Sequence, residues 1–314
     1  GNSCYGPLCW NIYRPVLSMK ENSAPSVPVR RLPDWLKASL PSGKNYFRLK
    51  ALTQKHGLNT VCESASCPNI GSCWSAGTLT LMILGDTCTR ACRFCDVPTG
   101  HMRPPRREEP REVAEMLSHL DLKYVVITSV DRDDLPDGGA DVWAETIQRV
   151  KETCPEIKVE ALIPDFKGEA SLIEKICRAK PDVLAHNLET VESLQFVVRP
   201  QCQYSWSLNT LRIASEKGPI VKSSLMLGLG EKREEVIESM RHLVEANCQI
   251  LSLGQYLRPS KQHLEVVEYI HPDVFAEYKV IGESLGLGHV EAGPLVRSSY
   301  HADMQAQNLM DLRT

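Results

Sequence analysis

No apolar run in this 314-residue chain reaches the roughly 18 residues that a membrane-spanning helix requires. A strong charge of either sign is missing too. The 36 Lys and Arg against 39 Asp and Glu leave a net charge of -3, which gives no overall drive toward nucleic acid or a lipid surface. The opening GNSCYGPLCWNIYRPV lacks a basic segment followed by an apolar core, so it does not read as a secretory signal. It also lacks an initiator Met, which leaves a trimmed or processed start open. No internal repeat or low-complexity segment is present. These absences point to a cytoplasmic protein with no nucleic-acid and no membrane partner. At 42% hydrophobic and 24% charged, the chain can bury a large core in one big domain or two small ones.

Cysteine is plentiful, and its distribution is informative. Six of the 12 cysteines lie within 34 residues, in two unequal triplets. Cys62, Cys67 and Cys73 are spaced C-x4-C-x5-C, and Cys88, Cys92 and Cys95 are spaced C-x3-C-x2-C. Secreted disulfide frameworks are short and cysteine-dense throughout, whereas clustered cysteines in a chain with a core of its own more often bind metal. The remaining Cys4, Cys9, Cys154, Cys177, Cys202 and Cys248 are scattered, and Cys177 shares an apolar helical stripe with Ile173 and Ile176 as ordinary packing. Iron–sulfur cubanes are usually held by four cysteinates, so three leave one iron open. An open metal position is a catalytic one. A zinc site of three thiolates and a distant His is the competing reading, although zinc ligands come more often as C-x2-C pairs and only Cys92/Cys95 forms one.

From Leu79 onward, strand-like and helix-like segments alternate. Strand runs are read at 79–85, 124–130, 157–163, 182–186, 220–227 and 249–253. Between them Val113, Met116, Leu117 and Leu120 repeat at helical spacing, as do Trp143, Ile147 and Val150, and Val236, Met240, Leu243 and Val244. Near-continuous apolar strands imply burial on both faces and hence a parallel sheet. Six such units predict an α/β fold, a partial (β/α)6 TIM-like barrel with its chemistry at the C-terminal strand ends. A further helix is expected at about 272–286 and another around 45–56. The expected division is an N-terminal cluster-binding extension over 1–78, the barrel over 79–290 and a C-terminal tail over 291–314. Polar residues crowd the predicted strand ends: Thr128 to Asp134 with Asp137, His186 to Thr190, the glycine-bearing Met226 to Glu231, and Gly254 to Tyr256. Each alone reads as a solvated loop or cap. Four at one barrel end point to a shared site, with Gly228 and Gly230 letting backbone approach a ligand.

The loop CTRACRFC, with Phe94 before its last cysteine, resembles the signature of radical S-adenosylmethionine enzymes. The segment VCESASCPNIGSCW looks like the auxiliary-cluster motif of one family among them, the lipoyl synthases. GDTCTRACRFCDV, TSVDRDDLPDGGA, AHNLETV, MLGLGE, LGQYLRPS and GPLVRSSYHA agree with it, so the resemblance runs from about residue 33 to 303.

That resemblance implies two 4Fe–4S clusters and S-adenosyl-L-methionine as cofactors. Cys88, Cys92 and Cys95 would hold the radical-generating cluster, and Cys62, Cys67 and Cys73 the auxiliary one. A serine of Arg297-Ser298-Ser299-Tyr300 would complete the auxiliary site, assigned to Ser299 with Ser298 as the alternative. Contacts to S-adenosylmethionine fall by position on Phe94, Ser129, Asp131, Asn187, Glu189, Arg199, Gln255 and Leu257; for Glu189 and Arg199 a structural ion pair is the competing role. The implied reaction inserts sulfur at C6 and C8 of a protein-bound octanoyl-lysine, with two S-adenosylmethionines consumed and sulfide drawn from the auxiliary cluster. The chemistry demands this much, since an unactivated aliphatic C–H bond has no acidic proton and no leaving group. Implied partners are an octanoylated lipoyl carrier domain or glycine-cleavage H protein, and a reduced electron donor of the flavodoxin or ferredoxin type. Arg103, Arg106, Arg107 and Arg111 could meet an acidic carrier, although charge runs are usually solvated faces. Another radical S-adenosylmethionine sulfur-inserting enzyme and a non-catalytic zinc module are the alternatives.

Overall fold

The computed structural model describes residues 32–37, 43–64, 67, 69–75, 78–120 and 122–311. Cys4 and Cys9 lie outside them. Contacts divide the chain into residues 1–32 and a compact unit over Pro33–Thr314.

The elements are α1 (Lys44–His56), β1 (Asn59–Thr60), α2 (Val61–Ser64), α3 (Ile70–Ser75), β2 (Thr80–Ile83), α4 (Glu109–Ser118), β3 (Tyr124–Ser129), α5 (Ala140–Thr153), β4 (Lys158–Leu162), α6 (Ala170–Arg178), β5 (Val183–Ala185), α7 (Gln195–Val198), α8 (Tyr204–Ser215), β6 (Ile220–Leu227), α9 (Arg233–Glu245), β7 (Ile250–Gln255), α10 (Pro272–Leu285), β8 (His289–Gly293) and α11 (Ala302–Asp311). One sheet carries all eight strands in sequence order. β1 is antiparallel to β2, and every later neighbour is parallel.

The six predicted strands are present as β2 to β7, so the partial barrel follows from the apolar runs. β8 is a seventh parallel strand that no run announced. Only Val290 of its five residues is buried, so it lacks a hydrophobic signature. Its pairing with β7 comes from backbone hydrogen bonding instead.

Alternation along the strands sorts two cores. Val125, Ile127, Val159, Leu184, Val221 and Leu251 face the helices in the main core. Tyr124, Val126, Val183, Ile220 and Ile250 face the other way, into the lumen, and pack against Ala302 and Ala306 of α11. The C-terminal helix therefore plugs the bottom of the barrel. Beside that plug Glu160 accepts from the Tyr124 hydroxyl at 2.6 Å and pairs with Lys222 at 3.1 Å, all three buried. Ser252 Oγ donates to Gln305 Oε1 at 3.1 Å, and Gln305 Nε2 donates to the Tyr300 carbonyl at 2.6 Å. The plug thus fixes the tail just upstream of it. At Gly254 a Cβ would stand 2.0 Å from the Val296 carbonyl, so only glycine lets the tail cross the lumen face of β7.

Candidate active site

The strand exit after β2 is built under constraint. Leu84 adopts φ 68°, an unfavourable conformation for a γ-branched side chain. Its N–H donates to the buried Glu109 carboxylate at 2.8 Å, and its carbonyl accepts from Arg132 at 3.1 Å. The loop that follows, residues 88–95, is pinned on several sides. Cys88 N–H donates to the Pro98 carbonyl, Thr89 N–H to the Asp131 carbonyl, Arg93 N–H to the Val198 carbonyl and Leu264 N–H to the Arg93 carbonyl. His263 Nε2 lies 3.0 Å from the Cys95 carbonyl. Cys88, Cys92 and Cys95 are all half-buried free thiols.

Arg90, between the first two cysteines, turns its guanidinium into the protein and is 2% exposed. It holds Asp165 with bonds of 2.6 and 2.8 Å and Asp133 with bonds of 2.7 and 3.0 Å, and Asp131 stands 3.5 Å from its Nε. Burial opposes ionisation of Asp165, yet Arg90 outweighs it and lowers this carboxyl to about 2. Asp165 attracted no attention in the sequence, where it reads as an ordinary loop acid. Arg90 sat inside the quoted motif without a role. Only the turn of the loop reveals that it is an anchor.

Several candidate ligand contacts gather at the same barrel mouth. Asp131 N–H donates to Cys88 Sγ at 3.3 Å, and burial raises the Asp131 carboxyl against the pull of Arg90. Glu189 has φ 67°, accepts from Asn187 Nδ2 at 3.0 Å, and is raised by burial with Arg199 opposing. Arg199 Nη1 donates to the Asn187 and Leu188 carbonyls at 3.2 and 3.3 Å. Asn187 Oδ1 and Arg199 Nε are buried polar atoms without a hydrogen-bond partner among the described residues. Such orphans are costly and suit a polar ligand of complementary donors and acceptors. Phe94 packs partly buried beside Val198, Leu229 and Tyr256. Leu257, half-buried, follows the end of β7.

Three expectations need correction. Ser129 falls on the helix-facing side of β3, and its hydroxyl accepts from Trp143 Nε1 at 3.1 Å. The two-residue period that sends Thr128 inward sends Ser129 outward, so its hydroxyl does not face the mouth. Gln255 is likewise on the outer face of β7, and its amide is spent on backbone. Nε2 donates to the Leu227, Tyr256 and Glu268 carbonyls, and Oε1 accepts from Ile270 N–H. It clamps the loop over 256–270 rather than offering its side chain to an adenine. Gly228 is explained by the same clamp, because a Cβ there would meet Gln255 Nε2 at 2.3 Å and the Glu268 carbonyl at 2.4 Å. At Gly230 the nearest atom to a Cβ is Val267 Cγ2 at 3.7 Å, and it is the backbone, at φ 109°, that favours glycine there.

The other triplet is assembled from short pieces, with Cys62 on α2, Cys73 on α3 and Cys67 between them. Cys67 N–H donates to the Cys62 carbonyl at 3.1 Å. The tail reaches this loop from 226 residues away, where Asn69 Nδ2 donates to the Leu295 carbonyl at 2.6 Å. The half-buried Arg297 guanidinium acts on Cys67, and the His301 N–H on Cys73. Arg297-Ser298-Ser299-Tyr300 is therefore flanked on both sides by contacts to the triplet, with Ser298 and Ser299 both half-buried.

Both triplets fit an iron–sulfur group on their own chemistry. Burial is the first cause that raises Cys62, Cys67, Cys73, Cys88 and Cys95, with Cys73 and Cys88 pushed up to about 12. Holding several such thiols as thiolates requires a bound cation. The fully buried Trp74 turns its indole N–H toward Cys62, a donor suited to a thiolate that has no other hydrogen-bond partner among the described residues. Among the described residues, no three His, Cys, Asp or Glu side chains converge closely enough to hold one metal ion. A cubane spreads its cysteinates over separate irons and does not need that convergence.

Comparison with known proteins agrees with this geometry. Residues 82–243 match the radical SAM superfamily, and residues 10–67 match the N-terminal domain of lipoyl synthase. The lipoyl synthase of Treponema denticola is 50% identical over 274 residues, 87% of this chain and 94% of that one. That of Thermus thermophilus is 53% identical over 278 residues, 87% of this chain and 86% of its own. The mitochondrial lipoyl synthase of Nematostella vectensis is 49% identical over 287 residues, 91% of this chain and 98% of that one. Among solved structures, methylornithine synthase superposes with a TM-score of 0.51 at 15% identity, covering 88% of this chain and 90% of that one. A FeFe-hydrogenase maturase gives 0.55 at 16% identity, covering 68% and 50%. Those two likenesses speak to the partial barrel alone. Identity near one half along almost the whole length, together with one cysteine triplet in the loop after β2 and a second against the C-terminal tail, places this chain in the lipoyl synthase family of radical S-adenosylmethionine enzymes.

Proposed function

We propose that the protein inserts two sulfur atoms, at C6 and C8, into an octanoyl group carried on a lysine of a lipoyl carrier domain or glycine-cleavage H protein. The observation that carries this reading is the pair of separate cysteine triplets, one in the barrel-mouth loop and one joined to the RSSY turn. Cys88, Cys92 and Cys95 would hold a 4Fe–4S cluster, which when reduced by one electron cleaves S-adenosylmethionine to give a carbon radical able to take an unactivated hydrogen. Two C–H bonds call for two such cleavages, with the electrons drawn from a flavodoxin or ferredoxin. Asp131, Asn187, Glu189 and Arg199 would hold the polar ends of S-adenosylmethionine, and Phe94 and Leu257 would flank its adenine. The orphaned Asn187 Oδ1 and Arg199 Nε support those roles.

The second cluster is read as a substrate, and its sulfide is already reduced. Cys62, Cys67, Cys73 and Ser299 would hold it close to the bound acyl chain, so that capture of the substrate radical is effectively intramolecular. An alkoxide is a harder, poorer partner for iron than thiolate, which suits a cluster that must come apart. A cytoplasmic setting fits ten described cysteines that are all free thiols.

The test is anaerobic reconstitution followed by mass spectrometry of an octanoyl-lysine peptide after turnover. The unaltered chain should bind about eight irons, two cubanes' worth, and add two sulfurs to the peptide. Replacing Cys62, Cys67 and Cys73 together by Ala should keep S-adenosylmethionine cleavage and abolish sulfur insertion. Lipoyl product from that triple variant would refute the sacrificial role.

A further inference from the structure

The Arg297–Tyr300 turn belongs to no strand or helix, so something else must hold it in place. Tyr300 N–H donates to the Arg297 carbonyl at 2.9 Å and closes the turn. The next residue, His301, adopts φ 47°, a left-handed conformation that persists only where the surroundings hold it. Gln305 of α11 does the holding. Its Nε2 reaches back and donates to the Tyr300 carbonyl at 2.6 Å, while its backbone N–H donates to the His301 carbonyl at 3.1 Å. On its other side Oε1 accepts from Ser252 Oγ of β7 at 3.1 Å. Gln305 is 2% exposed and Ser252 is fully buried. A backbone carbonyl only accepts, so the amide nitrogen faces Tyr300 and the oxygen is left for the Ser252 hydroxyl.

We propose that Gln305 is a positioning residue for the auxiliary centre: oriented by Ser252 on the barrel wall, its amide pins the Tyr300–His301 peptide and holds the Arg297–Tyr300 turn against the Cys62–Cys67–Cys73 loop. The carbonyl of Tyr300 and the N–H of His301 belong to one planar trans peptide group, in which they point in opposite directions. Fixing the carbonyl toward Gln305 therefore turns the His301 N–H away from it, and that N–H is the one that acts on Cys73. The frame behind Gln305 is rigid, because β7 is paired along both edges, with β6 and β8. The triplet loop has only two short helices of its own, so a side chain offered from the tail is as steady as the tail's anchor. Loss of the Gln305 amide would leave the Ser252 hydroxyl and the Tyr300 carbonyl without their partner in a buried place. Groups that orient a metal ligand from behind govern affinity and activity over about 10- to 100-fold.

The inference rests on the reading of a tail serine as a ligand of the auxiliary cluster. Its test uses the full, anaerobically reconstituted chain, oxidised and saturated with S-adenosylmethionine to cover the open iron of the other cluster. The rate of iron loss to a chelator is measured, with S-adenosylmethionine cleavage and sulfur insertion assayed alongside. Unaltered iron loss in both Ser298→Ala and Ser299→Ala would refute the serine ligand, and the proposal with it. With the serine established, Gln305→Leu should lose iron about tenfold faster, the lower end of that range, and insert sulfur correspondingly more slowly. Its S-adenosylmethionine cleavage should stay at the unaltered rate. Ser252→Ala should act in the same direction but more weakly, and adding it to Gln305→Leu should change nothing further, since both work through one chain of bonds. Met304→Ala, at an exposed position of the same helix, should match the unaltered chain. Unaltered iron loss in Gln305→Leu would overturn the proposal. So would an equal fall in S-adenosylmethionine cleavage, the mark of a disturbed barrel, or additive effects of the two substitutions. Should Gln305→Leu fail to fold, the decision rests on Ser252→Ala: faster iron loss with cleavage retained supports the link, and an unaltered rate overturns it.

Discussion

The two cysteine loops lie 15 residues apart at their nearest cysteines, Cys73 and Cys88, but they are held in opposite ways. The loop over 88–95 hangs from β2 and is tied to the ends of β3 and α7, with the buried Arg90 held by three aspartates, of which Asp165 is itself buried. Every one of those ties belongs to the barrel. The loop over 62–73 rests on two short helices, and its second side is supplied by the distant tail through Leu295, Arg297 and His301. The lesson concerns lifetime. Under the roles proposed above, a cofactor that must survive each turnover would gain from a rigid cage, whereas a cluster that is consumed and rebuilt would need one wall that can move. A tail closed over the site by a few polar contacts and a helix plug supplies such a wall.

Substitution on each side should separate the two kinds of support. Arg90→Met leaves the buried Asp165 without its cation, and should cost about 3–5 kcal/mol of stability in denaturant melts. Its acid behaviour should change as well. Asp165 is lowered to about 2 in the folded protein against about 3.9 unfolded. Its contribution is therefore present above about pH 4 and lost as pH falls toward 2. In Arg90→Met burial is left to raise the Asp165 carboxyl, so that acid loss should vanish and stability should instead rise as pH falls through the raised value. A variant as stable as the unaltered chain would dissolve the contrast.

On the tail side, Ser299→Ala should lower sulfur insertion by about a hundredfold or more, the scale of a lost ligand. S-adenosylmethionine cleavage should be unchanged, and Ser298→Ala should stay close to the unaltered rate in product mass spectrometry. The reverse ranking would move the ligand to Ser298. Gly254→Ala pushes a methyl into the Val296 carbonyl and should displace the tail, with sulfur insertion falling about tenfold as expected for a misplaced group. Equal losses in both half-reactions would show that the barrel itself is disturbed. The smallest effect is expected at the surface. Arg106→Glu with Arg107→Glu should raise the KM for the octanoylated carrier a few-fold in a salt-dependent manner, without changing kcat. Arg106 already pairs with Glu112 and Arg111 with Glu108 and Glu115, so part of that charge is neutralised within α4.

Much of this was readable from the residues. The apolar runs produced six parallel strands and their order, because strands buried on both faces must be hydrophobic throughout. β8 escaped notice because a mostly half-buried strand leaves no such trace. The cysteine spacing marked out both triplets, since residues of one short loop are brought together by local sequence. Ser129 and Gln255 were misread for one shared reason. Motif position says that a residue is at a strand end, but the pleat decides which face it presents, and a shift of one residue reverses it. Asp165 and Gln305 were not found at all. Nothing near either in sequence marks it, and each becomes informative only when the fold brings it a distant partner, Arg90 for one and Ser252 for the other.

Sequence alone determined the alternating α/β pattern, the two triplets and the family, because each is written in local spacing or in side chains side by side along the chain. Tertiary structure alone decided that the tail closes the auxiliary loop, that α11 fills the barrel, and that Gln305 meets Ser252. Those contacts join residues from 53 to 230 positions apart. Burial and hydrogen-bond satisfaction across the whole fold, and no local signal, select them.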